Sequence, residues 1–208
     1  LLCAISQKSE LDWEAYRLEG FVDDTIAFAD IDIINPRKDI FKHFIENYKE
    51  EYNIECTEEN LSMLKNSNSD INIDMHELAQ RGKTLGNPNK PSELANMVSL
   101  SMIIRCDAFS ILILGDSFPQ EIYLSLIERG YSKENKLQVD FIKMSHHGSA
   151  NNISNDLLDI IDCDKYIIST NGGKGYKHPH REAIANVLCH PERDYSHRVH
   201  FYFNYPLR

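Results

Sequence analysis

Apolar positions along the chain fall into two periods, one of strands and one of helices. Ile111-Leu112-Ile113-Leu114 and Val139-Asp140-Phe141-Ile142 are short runs rich in branched or aromatic residues, bounded by turn or polar residues, which is the pattern of buried strands. Tyr166-Ile167-Ile168-Ser169 reads as a third buried strand and Val199 to Tyr205 as a final one. Ser99 to Arg105 and Phe109 to Leu114 form a hairpin turning at Asp107-Ala108, with Asn96 to Leu100 leading into it, and Thr25 to Ile34 is one or two strands ending at Asn35. Helical spacing follows Asn35, which serves as an N-cap with Pro36 in the first turn. Ile40, Phe41, Phe44, Ile45, Tyr48 and Tyr52 then face inward, with Lys42, Glu46, Lys49 and Glu50 outside.

Further helices are predicted from Pro119, through Ile122, Leu126 and Ile127, to a stop at Arg129-Gly130, and after the cap Ser154, with Leu157, Leu158 and Ile161 inward. Arg181 to Cys189 is another, and Thr57-Glu58-Glu59-Asn60 caps a short helix containing Leu61 and Leu64. Arg81 to Ser92 is dense in Gly, Pro, Asn and Lys and reads as a long loop, either a flap over a site or a surface connection. Strands alternating with helices predict an α/β domain spanning residues 1–208.

Two of the buried runs end in chemistry. The first delivers Gly115-Asp116-Ser117 and the second His146-His147-Gly148-Ser149, so a carboxylate and an imidazole pair sit at the C-terminal tips of two core strands joined by a helix. Open sheets flanked by helices place their sites at such tips. An Asp after a strand is commonly a turn or cap residue and a Gly-Asp pair has little specificity, whereas a His pair followed by Gly-Ser is much rarer. Carboxylate and imidazole together form a ligand set suited to zinc, manganese or iron. The loop Thr170-Asn171-Gly172-Gly173-Lys174-Gly175 lacks the spacing and ending of a phosphate-binding P-loop, which excludes a nucleoside-triphosphate site there.

The order Asn96, Ser99, Leu100, then L-G-D-S, H-H-G-S, Ile168 to Gly172 and finally His178-Pro179 resembles the metallo-β-lactamase superfamily. Within it the chain is most similar to nuclease domains of competence-type DNA-uptake proteins and to stand-alone metallohydrolases of anti-phage defence. The resemblance covers about Asn96 to Pro179 motif by motif, with Phe203-Asn204-Tyr205 like the end of the stand-alone type, and the first ninety-odd residues only in outline. It implies an αββα sandwich and a hydrolase with two divalent metal ions, zinc or manganese, acting on a phosphodiester such as DNA. Asp116 would bridge the metals and one of His146 and His147 would ligate the second. His178 would hold a phosphoryl oxygen or protonate the leaving group, with Asp116, His147 and His178 as the catalytic group. Asn96, Ser99, Ser149 and Asn171 are candidates for positioning substrate, each equally readable as structural.

The superfamily's principal motif, H-x-H-x-D-H, is not among the nine histidines. It is expected upstream of Leu1, making this chain the central and C-terminal portion of the fold and leaving it dependent on a missing N-terminal half or a partner protein for full activity. Two rival functions follow: a non-catalytic half-domain that pairs with a partner chain, and a hydrolase of small acyl substrates. His43 reads as a solvated helix residue, and His190, His197 and His200 as surface or strand histidines.

Composition narrows the picture modestly. At 208 residues, 42% hydrophobic and 26% charged, the chain can bury a sizeable core. A net charge of -10 argues against passive attraction to a nucleic-acid backbone but not against a metallonuclease, because bound cations offset the carboxylates that hold them. No apolar run approaches bilayer length, and five scattered cysteines suggest neither a disulfide framework nor a cysteine zinc site. A reducing cytoplasm is the expected compartment.

Overall fold

A computed structural model describes residues 29–51, 73–80, 90–172 and 178–205. The expected helix at Leu61 and Leu64, and most of the expected loop from Arg81, lie outside the described residues. In chain order the elements are β1 (Ala29–Asn35), α1 (Lys38–Glu51), α2 (Met75–Gln80), α3 (Pro91–Met97), β2 (Ser101–Cys106), β3 (Ser110–Ile113), α4 (Pro119–Glu128) and β4 (Leu137–Gln138). Then come β5 (Phe141–Lys143), tight turns at Ser145–Gly148 and Ala150–Asn152, α5 (Asn155–Asp159), β6 (Ile161–Asp162), β7 (Lys165–Ile168), α6 (Arg181–Leu188) and β8 (His200–Phe203).

The large sheet has the order β1-β2-β3-β5-β7-β8, antiparallel from β1 to β3 and parallel from β3 to β8, and β4 pairs with β6 in a small parallel ribbon. This is a mixed α/β architecture. Each parallel step is bridged by a helix: α4 between β3 and β5, α5 between β5 and β7, α6 between β7 and β8. Parallel neighbours need such crossovers because the chain must return to the starting edge. The crossovers build one core, in which Ile122 and Leu126, Leu157 and Leu158, and Ala183 and Val187 pack on Ile103, Leu112, Ile142, Tyr166 and Ile168. Full burial of each large apolar side chain contributes about 1.5–3 kcal/mol. At the edge of the sheet, Arg129 at the end of α4 donates to both carboxylate oxygens of Asp32, each at 3.1 Å, and to the Ile33 carbonyl at 2.7 Å.

The opposite face is also apolar but is not closed by the described residues. Register places Ile31, Ile104, Ile111, Phe141, Lys165 and His200 in one row across it, and Ile33, Met102, Ile113, Lys143, Ile167 and Tyr202 in the next. These side chains are half-buried in β1 to β7 and exposed in β8, and none belongs to a hydrophobic cluster of the described residues. Phe141 meets Phe109 and Tyr202 edge-on, with ring centroids 6.3 and 6.1 Å away, and Lys165 lies over its ring.

Several local expectations need correction. Asn35 ends β1 instead of capping the helix, which starts at Lys38. Asn96 and Met97 close α3, a helix started by Pro91 and buried through Leu94 and Met97, so the strand of the hairpin begins only at Ser101. A seven-residue helix offers too few turns for its spacing to stand out of a Gly- and Pro-rich context. The run at Val139 splits, with β5 starting at Phe141, and Ile161 belongs to β6. His43 is half-buried. His190 is buried, its Nε2 3.3 Å from Asp159 Oδ1. Among the described residues no helix is long and apolar enough to cross a membrane.

Candidate functional site

Three adjacent parallel strands, β3, β5 and β7, deliver the candidate residues to one edge of the sheet. After β3 the chain turns at Gly115, whose φ of +54° and surroundings both demand glycine: an added Cβ would lie 2.5 Å from Ser99 Oγ and 2.6 Å from the Leu100 carbonyl. That contact seats Asp116, whose N–H donates to Ser99 Oγ at 2.9 Å. Ser99 thus orients the Asp116 backbone.

Below the loop lies a buried polar network centred on Ser117. Asn35, fully buried, donates from Nδ2 to the Met97 carbonyl at 2.8 Å, the Ser99 carbonyl at 2.7 Å and Ser117 Oγ at 3.1 Å. Ser101 Oγ donates to the Leu114 carbonyl and lies 2.8 Å from Ser117 Oγ. The Ser117 carbonyl accepts from Ser145 Oγ at 2.7 Å and from Asn152 Nδ2 at 3.1 Å, and Asn152 also donates to the Asp116 carbonyl. Apart from Asn35 Oδ1, which has no hydrogen-bond partner among the described residues, these buried groups find their partners in one another, so the loop after β3 is tied to β1, β2 and the turn after β5.

After β5 the backbone takes an unusual course. His146 and His147 have φ of +42° and +59°, and Gly148 follows at +83°. Left-handed backbone costs a non-glycine residue roughly 1–2 kcal/mol, and such residues persist where the surroundings over-determine them, often at functional sites. Here the His146 N–H donates to the Gly115 carbonyl at 2.9 Å. The turn places the His146 ring 6.0 Å from that of His147 and 5.5 Å from that of His178, with His147 and His178 6.2 Å apart. An adjacent pair of imidazoles and a third from a distant segment therefore share one location, and the Asp116 carboxylate is near enough to favour protonation of both His146 and His178.

The histidines differ in what they can do. His147 Nδ1 lies 2.6 Å from the Ser169 carbonyl at the tip of β7. A carbonyl only accepts, so in the neutral ring Nδ1 carries the proton and Nε2 keeps its lone pair, the arrangement of a metal-ligating histidine steered by a backbone carbonyl. His178 is buried, and burial together with the neighbouring imidazoles pushes its pKa down to about 4, against the opposing pull of Asp116. It is neutral at neutral pH. Burial likewise lowers the pKa of His146 and of Lys143, and Asp116 opposes the shift in both.

The other candidates are spread more widely. Ser149 is buried and its Oγ accepts from the Asn151 N–H, capping the next turn. Asn96 is half-buried in the last turn of α3, where its carbonyl accepts from the Ser99 N–H, and Asn171 is exposed in the loop after β7. Sequence patterns did not mark Ser101, Ser145 or Asn152, and gave Asn35 only as a helix cap and Ser117 only as part of the Gly-Asp-Ser tip, because small polar residues near turns are common and their significance here is burial.

The donor chemistry, one carboxylate and neutral imidazoles, suits a zinc- or manganese-type ion. Among the described residues, however, no three His, Cys, Asp or Glu side chains converge in a geometry that holds an ion. The described donors do not by themselves close a metal centre. No protein-family model matches the chain, and no curated protein is significantly similar to it.

Gly148 offers a direct test of how the site is held. A Cβ there would come within 2.8 Å of Pro179 Cβ, the residue after His178, at a φ that already disfavours a side chain. Gly148→Ala is expected to cost ~1–2 kcal/mol for the backbone alone and to push His178 away from the His146–His147 pair. Urea denaturation and the side-chain nuclear Overhauser effects between His146 and His178 measure the two effects, and unchanged values in both would refute this account of the loop.

Proposed function

We propose that this chain is part of a metal-dependent hydrolase of metallo-β-lactamase type, a phosphodiesterase or nuclease of prokaryotic defence or DNA processing. The observation that carries the reading is the strained His146-His147 turn, which puts two imidazoles beside Asp116 and His178 at the tips of parallel strands. A divalent metal pair, when bound, would lower the pKa of a shared water and supply hydroxide near neutral pH. The chain's contribution is the donor set: the Asp116 carboxylate, and His147 with Nε2 available because Ser169 holds Nδ1. His178, neutral at neutral pH, suits a hydrogen bond to a phosphoryl oxygen better than the role of an imidazolium acid.

Because the donors do not close a site by themselves, the remaining ligands are proposed to come from an H-x-H-x-D-H segment supplied in cis or by a second chain. The 208-residue chain with zinc or manganese is then expected to leave single- and double-stranded DNA and a generic phosphodiester uncleaved, and to gain chelator-sensitive cleavage when that segment is restored. Robust cleavage by the chain alone would overturn the ligand count. No cleavage and no metal uptake with the segment present would overturn the hydrolase reading.

A second reading, a non-catalytic piece that pairs with a partner chain, is favoured by the apolar sheet face carrying Ile104, Ile111, Phe141 and Ile167, which the described residues leave half-buried. Sheets apolar on both faces are covered on both. In the αββα sandwich that we propose for the complete protein, a second sheet stacks on this face at about 10 Å.

A further inference from the structure

We infer that His180 is a positioning residue for the His178 imidazole, a proposal that rests on His178 belonging to the site described above. His180 grips the turn after β5 at two points. Its N–H donates to the Gly148 carbonyl at 3.0 Å, and its ring Nδ1 accepts from the Ala150 N–H at 3.1 Å. Since an N–H can only donate, Nδ1 must present its lone pair, and the neutral ring therefore carries its proton on Nε2. This is the opposite tautomer to that of His147, whose Nδ1–H faces the Ser169 carbonyl. The two rings are thus prepared for different tasks: His147 offers a lone pair at Nε2, while His180 spends its lone pair on the backbone.

Between the two grips, Pro179 lies against Gly148 so closely that a Cβ there would reach 2.8 Å from Pro179 Cβ. Two segments run side by side, one carrying His147 just before Gly148 and the other His178 just before Pro179. The His180 ring closes the arrangement, its centroid 4.6 Å from that of His178 at an interplanar angle of 52°. Pulling His180 off Ala150 frees the second segment to slide, and His178 leaves its place opposite the His146–His147 pair.

Two substitutions separate this role from direct chemistry by His180. In His180→Asn the side-chain carbonyl sits near the position of Nδ1 and can still accept from the Ala150 N–H, whereas in His180→Gln the amide reaches toward the position of Nε2 and that acceptor is lost. The full 208-residue chain is examined by amide hydrogen exchange at Ala150 and by nuclear Overhauser effects between the His146 and His178 rings, with phosphodiester cleavage measured in the complete assembly.

The expected result is that the Asn variant keeps Ala150 protection and the ring contacts. The Gln variant is expected to exchange about five- to tenfold faster at Ala150, as loss of one hydrogen bond implies, and to lose the contacts. Cleavage should follow the same order. Rescue by Gln and not Asn would overturn the proposal, because Nε2 would then be the working atom. Unchanged exchange and ring contacts in both variants would also overturn it. If cleavage is absent even from the unsubstituted assembly while the Asn and Gln variants separate in exchange and ring contacts, the hydrolase reading fails and the positioning role stands.

Discussion

Replacing Asp116 with Asn in the catalytically complete assembly is expected to lower hydrolysis by at least about 100-fold and to reduce metal content, while leaving the fold intact. The backbone and side chain of Asp116 serve different ends. Its N–H donates to Ser99 Oγ and its carbonyl accepts from Asn152 Nδ2, contacts that survive the substitution. Its carboxylate is half-exposed and is the charge that favours protonation of His146, His178 and Lys143. Neutralising it removes the carboxylate that, among the described residues, acts on both His146 and His178, and loss of even an outer partner of a metal ligand typically costs 10–100-fold in affinity or activity. Metal analysis, turnover and a thermal melt on the same preparation separate the outcomes. Unchanged metal occupancy with persistent turnover would remove Asp116 from the site.

Asn35→Ala is expected to have the largest effect on stability, about 2–3 kcal/mol, despite its distance in sequence from every candidate site residue. The substitution leaves the Met97 carbonyl without its side-chain donor, takes one of two donors from the Ser99 carbonyl, which keeps Ser117 Oγ, and removes a hydrogen bond from Ser117 Oγ. Each buried polar group left unsatisfied costs about 1–3 kcal/mol, against a total stability on the order of 5–15 kcal/mol for a domain. Asn35→Asp preserves the shape but replaces the donating amide by a carboxylate aimed at two carbonyls, and it should be at least as damaging. Urea denaturation of the two variants decides the matter. A mild Asn35→Asp effect beside a severe Asn35→Ala effect would mean that packing, not donation, is what the residue supplies.

The strand tips carrying Asp116 and His146-His147 were legible because each belongs to a local pattern. A four-residue run of branched residues ending in Gly has few other uses, and the hairpin register, Met102 opposite Ile113, follows from the turn at Asp107-Ala108. The Ser154 cap was equally local, its Oγ accepting from the Leu157 N–H three residues on. Asn35 was misread for the same reason: Asn followed by Pro before an amphipathic stretch has the local signature of a cap, and nothing nearby shows that its partners lie 62 to 82 residues away. By sequence alone His190 reads as a surface or strand histidine, because its partner Asp159 lies on a separate element.

By itself the amino-acid sequence determined the α/β class, the strands of the large sheet and the crossover helices from Ser101 onward, and the presence of a carboxylate and an imidazole pair at strand ends, but not the small ribbon of β4 and β6. Those features depend on side-chain period and turn chemistry within about ten residues. Tertiary structure alone decided that His178 joins His146 and His147, and that Ser169 and Ala150 set opposite tautomers in His147 and His180. It also decided that one face of the large sheet is closed by α4, α5 and α6 while the other is left half-buried by the described residues. Such choices rest on contacts between residues distant in the chain, where many pairings are compatible with the same local pattern and only the packing of the sheet selects one.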